Sequence, residues 1–275
     1  MSQVLPLLTP PSWVLMWGLA FVLYALLKGL SWITRRQRPA PLWRHVAYLF
    51  GWPGMDVEAF LHLHAGTIGE PAAREWCLAS LKLLLGVTIL AALVPRTPSS
   101  DPYVLGWIGM VGIAFTLHFG LFHLLSCLWR QLGVAAVPIM SWPIASQSLT
   151  EFWGQRWNLA FRDLAHRFLF RPLQRRGMPR LGLLAGFLAS GLIHDAVVSS
   201  PAGKCYGGPT VYFILQGVGI LFERSRAARW IGLGSGLRGW LFSAVVIIGP
   251  CGLLFHRPFV CDVVYPFLQA LGSAP

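Results

Sequence analysis

Residues 182–195 read GLLAGFLASGLIHD, an apolar stretch that ends in a histidine and an aspartate. A second stretch, SLTEFWGQRWN at residues 148–158, is polar and carries an arginine. An ionisable side chain at membrane depth is costly unless it faces a cavity or a partner, so it marks a candidate functional site. The two stretches together therefore predict a membrane setting and the place where chemistry occurs.

The composition of the whole chain supports that setting. Apolar residues make up 55% of the 275 residues, charged residues 12%, and the mean hydropathy is +0.60. Soluble domains carry about 25% charged residues. We therefore expect an all-α, polytopic transmembrane helical bundle, with residues 1–275 forming a single domain because no linker or repeat divides them.

Six apolar segments are candidate spans, and up to eight spans are possible. They cover residues 13–33, 76–94, 103–129, 181–199, 208–222 and 237–255. Lys28 interrupts the first segment, and we expect it to extend towards the membrane surface. With the N-terminus outside, seventeen basic residues fall in inside segments, three in outside segments and two within spans. This asymmetry predicts an external N-terminus and a cytoplasmic arginine-rich segment at residues 130–180.

The net charge of +12 follows from the same topology. Because the basic residues lie almost entirely between apolar segments, they require no nucleic-acid partner, and membrane lipids are the expected partner. Whether the membrane is a bacterial cytoplasmic membrane or that of the endoplasmic reticulum stays open. So does the oligomeric state.

An amphipathic pattern covers residues 148–174. Its apolar positions recur every three or four residues: Leu149, Trp153, Trp157, Phe161, Leu164 and Phe168. Such a pattern predicts an amphipathic helix at the membrane surface, with arginines directed at anionic headgroups. Taken alone, this segment leaves the function open.

The fourth predicted span has a more specific pattern. Gly182, Gly186, Ser190 and His194 are each four residues apart, so small side chains share one face that lets another helix approach closely. At 1.5 Å per residue, His194 lies about 21 Å along the helix from Arg180, within the hydrocarbon zone. The histidine is either a packing residue that hydrogen-bonds across helices or part of a functional site.

Two other classes of function are open at this point. His118 and His123 in the third span, or His194, are candidate haem ligands. A proton-coupled membrane transporter could instead use His194 and Asp195 as a relay. No metal site is predicted, because the five cysteines form no C-x-x-C pair and have no metal-ligand spacing. The chain also has no nucleophile elbow, P-loop or zinc-protease motif.

The two opening stretches resemble the paired signature of the membrane-bound O-acyltransferase superfamily. The resemblance is greatest to its wax-synthase-like branch, where an FWxxRWN-type segment precedes a helix carrying S-G-x-x-H. The run FGWPGMD at residues 50–56 is similar to that branch too. The resemblance implies a helical bundle with an internal tunnel and an acyltransferase activity. The acyl group would pass from acyl-CoA, acetyl-CoA included, to the hydroxyl of a lipid alcohol or of a terpenoid or polyketide natural product.

The resemblance also assigns residues. Asn158 and His194 correspond to the family's active-site asparagine and histidine, with His194 as a general base and Asn158 orienting it or stabilising an oxyanion. Arg156, Arg162 and Trp157 are the candidates for binding acyl-CoA, the arginines through its phosphates. Acyl-CoA is expected as a co-substrate and not as a permanently bound cofactor.

Overall fold

The computed structural model describes residues 10–36, 39–61, 69–98 and 100–274, and every regular element in these ranges is helical. The helices are α1 (Ser12–Ile33), α2 (Leu42–Gly51), α3 (Val57–Leu61), α4 (Ala73–Arg96), α5 (Pro102–Gln131), α6 (149–156), α7 (159–175), α8 (Pro179–Ala202), α9 (Gly208–Glu223), α10 (Arg226–Trp230), α11 (Gly236–Leu254) and α12 (257–270). The predicted all-α bundle is confirmed.

Five of the described helices, α1, α4, α5, α8 and α11, are long and apolar enough to cross a membrane. They correspond to five of the six predicted spans. The remaining predicted span, 208–222, is helix α9, which at 16 residues is about 24 Å long and shorter than the other five. The predicted number of spans therefore depends on how α9 is counted.

The irregular loop 52–56 between α2 and α3 is anchored on α1. Tyr24 Oη donates to the carbonyl of Trp52 at 3.1 Å, Lys28 Nζ donates to the same carbonyl at 2.7 Å, and Ser31 Oγ donates to the carbonyl of Met55 at 2.8 Å. Irregular backbone inside a membrane bundle is tolerated only where such partners satisfy it. The expectation that Lys28 extends to the surface is wrong: its side chain is 2% exposed because these carbonyls hold it inside the bundle.

Helices α8 and α9 run antiparallel and approach each other closely. A Cβ atom added at Gly191 would lie 2.6 Å from Thr210 Cα, and one added at Gly217 would lie 3.0 Å from the Phe187 ring. Glycine is required where two backbones come this near. The expectation of a close helix approach along α8 is confirmed at Gly182 as well, where an added Cβ would lie 3.1 Å from Phe170 Cα in α7.

Residues 148–174 do not form one surface helix, which corrects the sequence expectation. Helix α6 ends at Arg156, the chain turns at Asn158 with a left-handed backbone (φ 42°), and α7 runs back in the opposite sense. Residues 139–141, which belong to no helix, hold the turn: Ser141 N–H donates to Arg156 O at 2.8 Å, and Leu159 N–H donates to Ile139 O at 3.0 Å. These tertiary hydrogen bonds override a helical periodicity that continues through the turn.

Candidate active site

A cavity of about 370 Å³ lies between the α6–α7 hairpin and helices α8 and α9. Its walls are mainly apolar and aromatic, with polar groups from each bounding helix. The lining residues are Thr150, Trp153, Gly154, Trp157, Asn158, Phe161, Arg162, Ala165, His166, Phe170, Gly182, Leu183, Gly186, Phe187, Ser190, His194, Phe213, Ile220 and Arg224. An apolar pocket of this size with a few convergent polar groups is typical of a ligand site.

The cavity extends along α8. Gly182 and His194 both line it, and twelve residues of helix separate them by about 18 Å. On the antiparallel α9, Phe213 lies beside His194 with ring centroids 4.5 Å apart, and Arg224 lies about 17 Å away at the other end. One end of the cavity is therefore marked by His194 and the other by Arg224.

The hairpin brings Asn158 to the His194 end. Helix α7 runs antiparallel to α8: Phe170 packs at Gly182, and Ala165 lies opposite Gly186. From Ala165 back to Asn158 is seven residues, or about 10 Å along α7. From Gly186 to His194 is about 12 Å along α8, so Asn158 and His194 lie at nearly the same level. The two sequence stretches therefore meet at one end of one cavity, and the tip of the hairpin supplies the asparagine.

The hydrogen bonds of His194 fix its tautomer. Nδ1 lies 2.7 Å from the carbonyl oxygen of Ser190, one turn earlier in α8. A carbonyl oxygen only accepts, so Nδ1 carries the hydrogen, and the neutral ring keeps its lone pair on Nε2. Among the described residues Nε2 has no hydrogen-bond partner. This imidazole can therefore accept a proton from a group in the cavity.

The side chain of Asn158 has two roles. Its Oδ1 accepts a hydrogen bond from Phe161 N–H at 3.3 Å and so caps the first turn of α7. Asparagine tolerates the left-handed backbone better than most residues. With Oδ1 occupied by the cap, Nδ2 is the group that can donate a hydrogen bond into the cavity. An amide donor near an unprotonated imidazole suits a reaction in which negative charge develops on oxygen.

Ser190 lines the cavity, although the sequence pattern indicated only a small packing residue. It lines the cavity one turn before His194, and its side chain is 5% exposed. The spacing of four residues was the available signal, because it places both side chains on one helix face. Its hydroxyl is a second candidate donor at the His194 end.

The two predicted phosphate-binding arginines occupy different places. Arg162 lines the cavity, donates to Gly154 O at 3.0 Å and pairs with Asp163 at 2.5 Å, and its buried Nε has no partner among the described residues. Arg156 does not line the cavity: it pairs with Glu151 at 2.6 Å and donates to the carbonyl of Ser141 at 3.2 Å. Arg156 thus holds the end of α6 beside the tip of the hairpin, while Arg162 lines the cavity.

Arg224 is a cationic lining residue that the sequence analysis missed. It directly follows the last residue of α9, and its Nε lies 3.4 Å from Thr150 Oγ1. The preceding residue, Glu223, is 4% exposed and accepts from Leu149 N–H at 2.6 Å and from Thr150 Oγ1 at 2.7 Å. Glu223 thereby fixes the start of α6 beside Arg224. The position of Arg224 relative to the hairpin is therefore fixed as well.

Two carboxylates of the hairpin have shifted titration. Burial raises the pKa of Asp163 to about 6, and the neighbouring Arg162 offsets this only in part. The backbone N–H of Gln147 lowers the pKa of Glu151, as does its partner Arg156. Glu151 therefore stays ionised at neutral pH, whereas Asp163 takes up a proton in mild acid.

A separate polar cluster lies between α4 and α5. Glu75 Oε1 lies 3.1 Å from His123 Nε2 and accepts from Arg130, while Lys82 Nζ lies 3.3 Å from His123 Nδ1. Glu75, His123 and Cys127 have ligand atoms within 4.8 Å of one another, a spacing that could hold a metal ion. The two adjacent cations oppose a further positive charge, and Glu75 already has partners, so this cluster is better described as an ion-pair network.

The histidines that were considered as haem ligands lie in different surroundings. His118 lies against the ring of Phe122 at 5.4 Å, and His123 belongs to the polar cluster. Neither lines the cavity that contains His194. In the described part of the chain, these three side chains therefore do not form a shared axial-ligand site.

The segment that contains the hairpin and α8 is similar to known proteins. Residues 136–215 match the membrane bound O-acyl transferase family. Probable long-chain-alcohol O-fatty-acyltransferase 2 of Arabidopsis thaliana is 30% identical over 148 residues, which is 49% of this chain and 42% of the relative. Long-chain-alcohol O-fatty-acyltransferase of Simmondsia chinensis is 29% identical over 100 residues, or 32% of this chain and 27% of the relative.

These matches confirm the resemblance to the membrane-bound O-acyltransferases and to their wax-synthase-like branch. The match with the first of these relatives spans about two fifths of that protein's length. Together with the five long apolar helices, the matches identify an integral membrane protein.

Proposed function

We propose that this chain, a relative of the membrane-bound O-acyltransferases, transfers an acyl group from acyl-CoA to the hydroxyl of a lipid alcohol. One observation carries the proposal: Asn158 and His194, from the two signature stretches, line the same end of one largely apolar cavity. The neutral His194 presents an unprotonated Nε2 there, and Asn158 has an amide donor available. These are the groups that an alcohol needs to attack a thioester.

The reaction is a balanced transfer with His194 as the proton carrier. Nε2 takes the proton of the alcohol while the alcohol oxygen bonds to the thioester carbonyl carbon. The resulting tetrahedral intermediate collapses, the carbon–sulfur bond breaks, and the imidazolium returns the proton to the sulfur of CoA. The products are an ester and free CoA. General-base assistance of this kind contributes about 10²–10⁴-fold to the rate.

Asn158 Nδ2 and Ser190 Oγ are proposed to stabilise the oxyanion of that intermediate. Both residues line the His194 end of the cavity, and the apolar walls strengthen hydrogen bonds by excluding water. Removal of one such donor from an acyl-transfer site typically costs about 10²–10³ in kcat. Asn158 is also the cap of α7, so its replacement affects the hairpin as well.

The opposite end of the cavity is proposed to admit acyl-CoA. Arg224 marks that end, Arg162 and His166 line the cavity between it and Asn158, and arginine pairs bidentately with phosphate. Trp157 also lines the cavity, with its ring stacked on Phe152 at 5.4 Å, and can contact the acyl or pantetheine chain. We assign phosphate binding to Arg162 and Arg224, and give Arg156 a structural role in the hairpin. An external N-terminus, with the hairpin opening to the cytoplasm, follows from the arginine distribution.

A long-chain fatty alcohol is the first acceptor to test, because the relatives are named as long-chain-alcohol O-fatty-acyltransferases. Acetylation of a terpenoid or polyketide alcohol uses the same residues and is the second acceptor class. Acyl-CoAs of several lengths, acetyl-CoA included, distinguish the two cases when each is paired with both kinds of alcohol.

The test is an assay of purified protein in detergent for ester formation and CoA release. We expect the wild type to form ester and release CoA in equal amounts. His194→Ala should abolish both while its melting temperature stays close to that of the wild type, and Asn158→Ala should lose most of the rate. Wild-type turnover by His194→Ala would exclude the proposed base.

A further inference from the structure

Asp195, the residue after His194, has a dense set of hydrogen bonds outside the cavity lining. One oxygen accepts from Ser199 Oγ at 2.8 Å and from Gly207 N–H at 2.9 Å. The other accepts from Thr210 N–H at 3.1 Å and from Thr210 Oγ1. Adjacent helical side chains point about 100° apart, so Asp195 faces α9 while His194 faces the cavity.

A buried histidine sets the direction of these hydrogen bonds. Nδ1 of His256 accepts from Phe259 N–H at 3.2 Å, so its hydrogen is on Nε2, which lies 3.3 Å from Ser199 Oγ. His256 therefore donates to Ser199, and Ser199 donates to Asp195. Burial lowers the pKa of His256, in agreement with a neutral ring. The carboxylate of Asp195 is consequently the final acceptor of a chain of hydrogen bonds that runs from His256 through Ser199.

The contacts of Asp195 lie next to those that seat His194. Thr210, which gives two hydrogen bonds to Asp195, is also the residue whose Cα would lie 2.6 Å from a Cβ added at Gly191. Phe213, one turn later in α9, lies against the His194 ring at 4.5 Å. The carboxylate thus ties α8 to the first turn of α9 at the level where α9 forms the wall behind the catalytic imidazole.

We propose that Asp195 is a positioning residue that sets the location of His194 by clamping α8 onto Thr210 of α9. This inference rests on the proposed acyl transfer by His194. A carboxylate suits the clamp because it only accepts, and all of the surrounding groups donate. An asparagine would place an amide N–H against at least one donor and leave that donor buried and unsatisfied. A general base must lie within hydrogen-bond reach of its proton, so a small displacement reduces kcat.

The test removes the clamp from the α9 side, where the change is smallest. Thr210→Val keeps the shape of the side chain and loses the hydroxyl donor, while Thr210→Ser keeps the hydroxyl. We expect Thr210→Val to lower kcat at least fivefold with the KM for acyl-CoA within twofold of the wild type, and Thr210→Ser to restore kcat. Asp195→Asn should lower kcat further, by about 10²-fold, the scale expected for a 1 Å displacement.

A matched control separates positioning from general loss of stability. Ser31 is fully buried and donates to Met55 O, far along the sequence from α8 and α9. Ser31→Ala should lower the melting temperature about as much as Thr210→Val does, with unchanged kcat. Wild-type kcat in Thr210→Val, or an equal kcat loss in Ser31→Ala, would overturn the positioning role while the wild type still forms ester. Absence of ester from the wild type with every donor and acceptor would overturn the proposed function itself.

Discussion

Gly186 offers a direct test of whether substrate occupies the cavity. It lines the cavity from α8, and a Cβ atom added there would lie 3.6 Å from Ala165 Cβ, an ordinary contact. A methyl group is therefore accommodated, and Gly186→Ala should be stabilised by the better helix propensity of alanine, by up to about 1 kcal/mol. The larger Gly186→Leu side chain has to extend into the cavity.

The expected loss follows from the volume that leucine occupies. At about 30 Å³ for each small group, its four carbon atoms fill about 120 Å³, roughly a third of the 370 Å³ cavity. If they displace four substrate atoms worth about 0.3 kcal/mol each, binding weakens by about 1.2 kcal/mol, or roughly eightfold. We expect kcat/KM to fall by that factor with long-chain acyl-CoA and by less with acetyl-CoA.

The assay compares CoA release by wild type, Gly186→Ala and Gly186→Leu across acyl lengths. Gly18→Leu is the matched control, because an added Cβ at Gly18 on the exposed face of α1 would meet no atom within 4 Å. It should behave as wild type. If Gly186→Leu keeps a kcat/KM within twofold of Gly186→Ala for every acyl length, substrate does not pass this part of the cavity.

Two further predictions concern stability. Burial raises the pKa of Asp163 to about 6 from an ordinary value near 4. The protonated side chain therefore contributes its full stabilisation of the fold below about pH 4, and this stabilisation is lost as the pH rises through 6. Asp163→Asn should therefore increase the free energy of unfolding at pH 7.5 by up to about 3 kcal/mol, seen as a higher melting temperature. At pH 4 the melting temperature should change little. An equal increase at both pH values would contradict this prediction. Gly191→Ala should destabilise the protein by about 1–3 kcal/mol in thermal unfolding, because the added Cβ would lie 2.6 Å from the backbone of Thr210. Gly18→Ala is the control. If both variants unfold at the same temperature, α9 can shift to make room for the methyl group.

The long apolar helices were predictable because hydrophobic length is a local signal. The buried position of Lys28 was not predictable in this way, although Tyr24, Lys28 and Ser31 form a polar stripe at helical spacing. The partners of that stripe are backbone carbonyls of the loop 52–56, more than twenty residues away. Nothing in the composition of a loop shows which of its carbonyls will need donors from another helix.

The sequence predicted that Asn158 and His194 belong together, but it did not show how the fold brings them to one cavity. The residue types and order of Asn158 and His194 carried the resemblance, and the structure brings both to one cavity. The turn that accomplishes this interrupts an apolar periodicity that runs from Leu149 to Phe168 without a break. Arg156 shows the same limit: its sequence neighbourhood predicts a phosphate ligand, whereas carbonyl groups from residues 141 and 142 recruit it to the hairpin.

The hairpin also explains why asparagine suits its tip. Irregular backbone inside a bundle has to be satisfied by the protein, and here Trp157 N–H donates to Phe152 O at 2.8 Å, Asn158 N–H to Met140 Sδ at 3.2 Å and Leu159 N–H to Ile139 O at 3.0 Å. The tip residue must also adopt a left-handed backbone and cap α7. Aspartate can do both but has no side-chain donor when ionised, and serine has no amide. Asparagine meets both structural demands and still has an N–H group for the cavity, so the fold of the hairpin and the proposed oxyanion stabilisation depend on the same side chain.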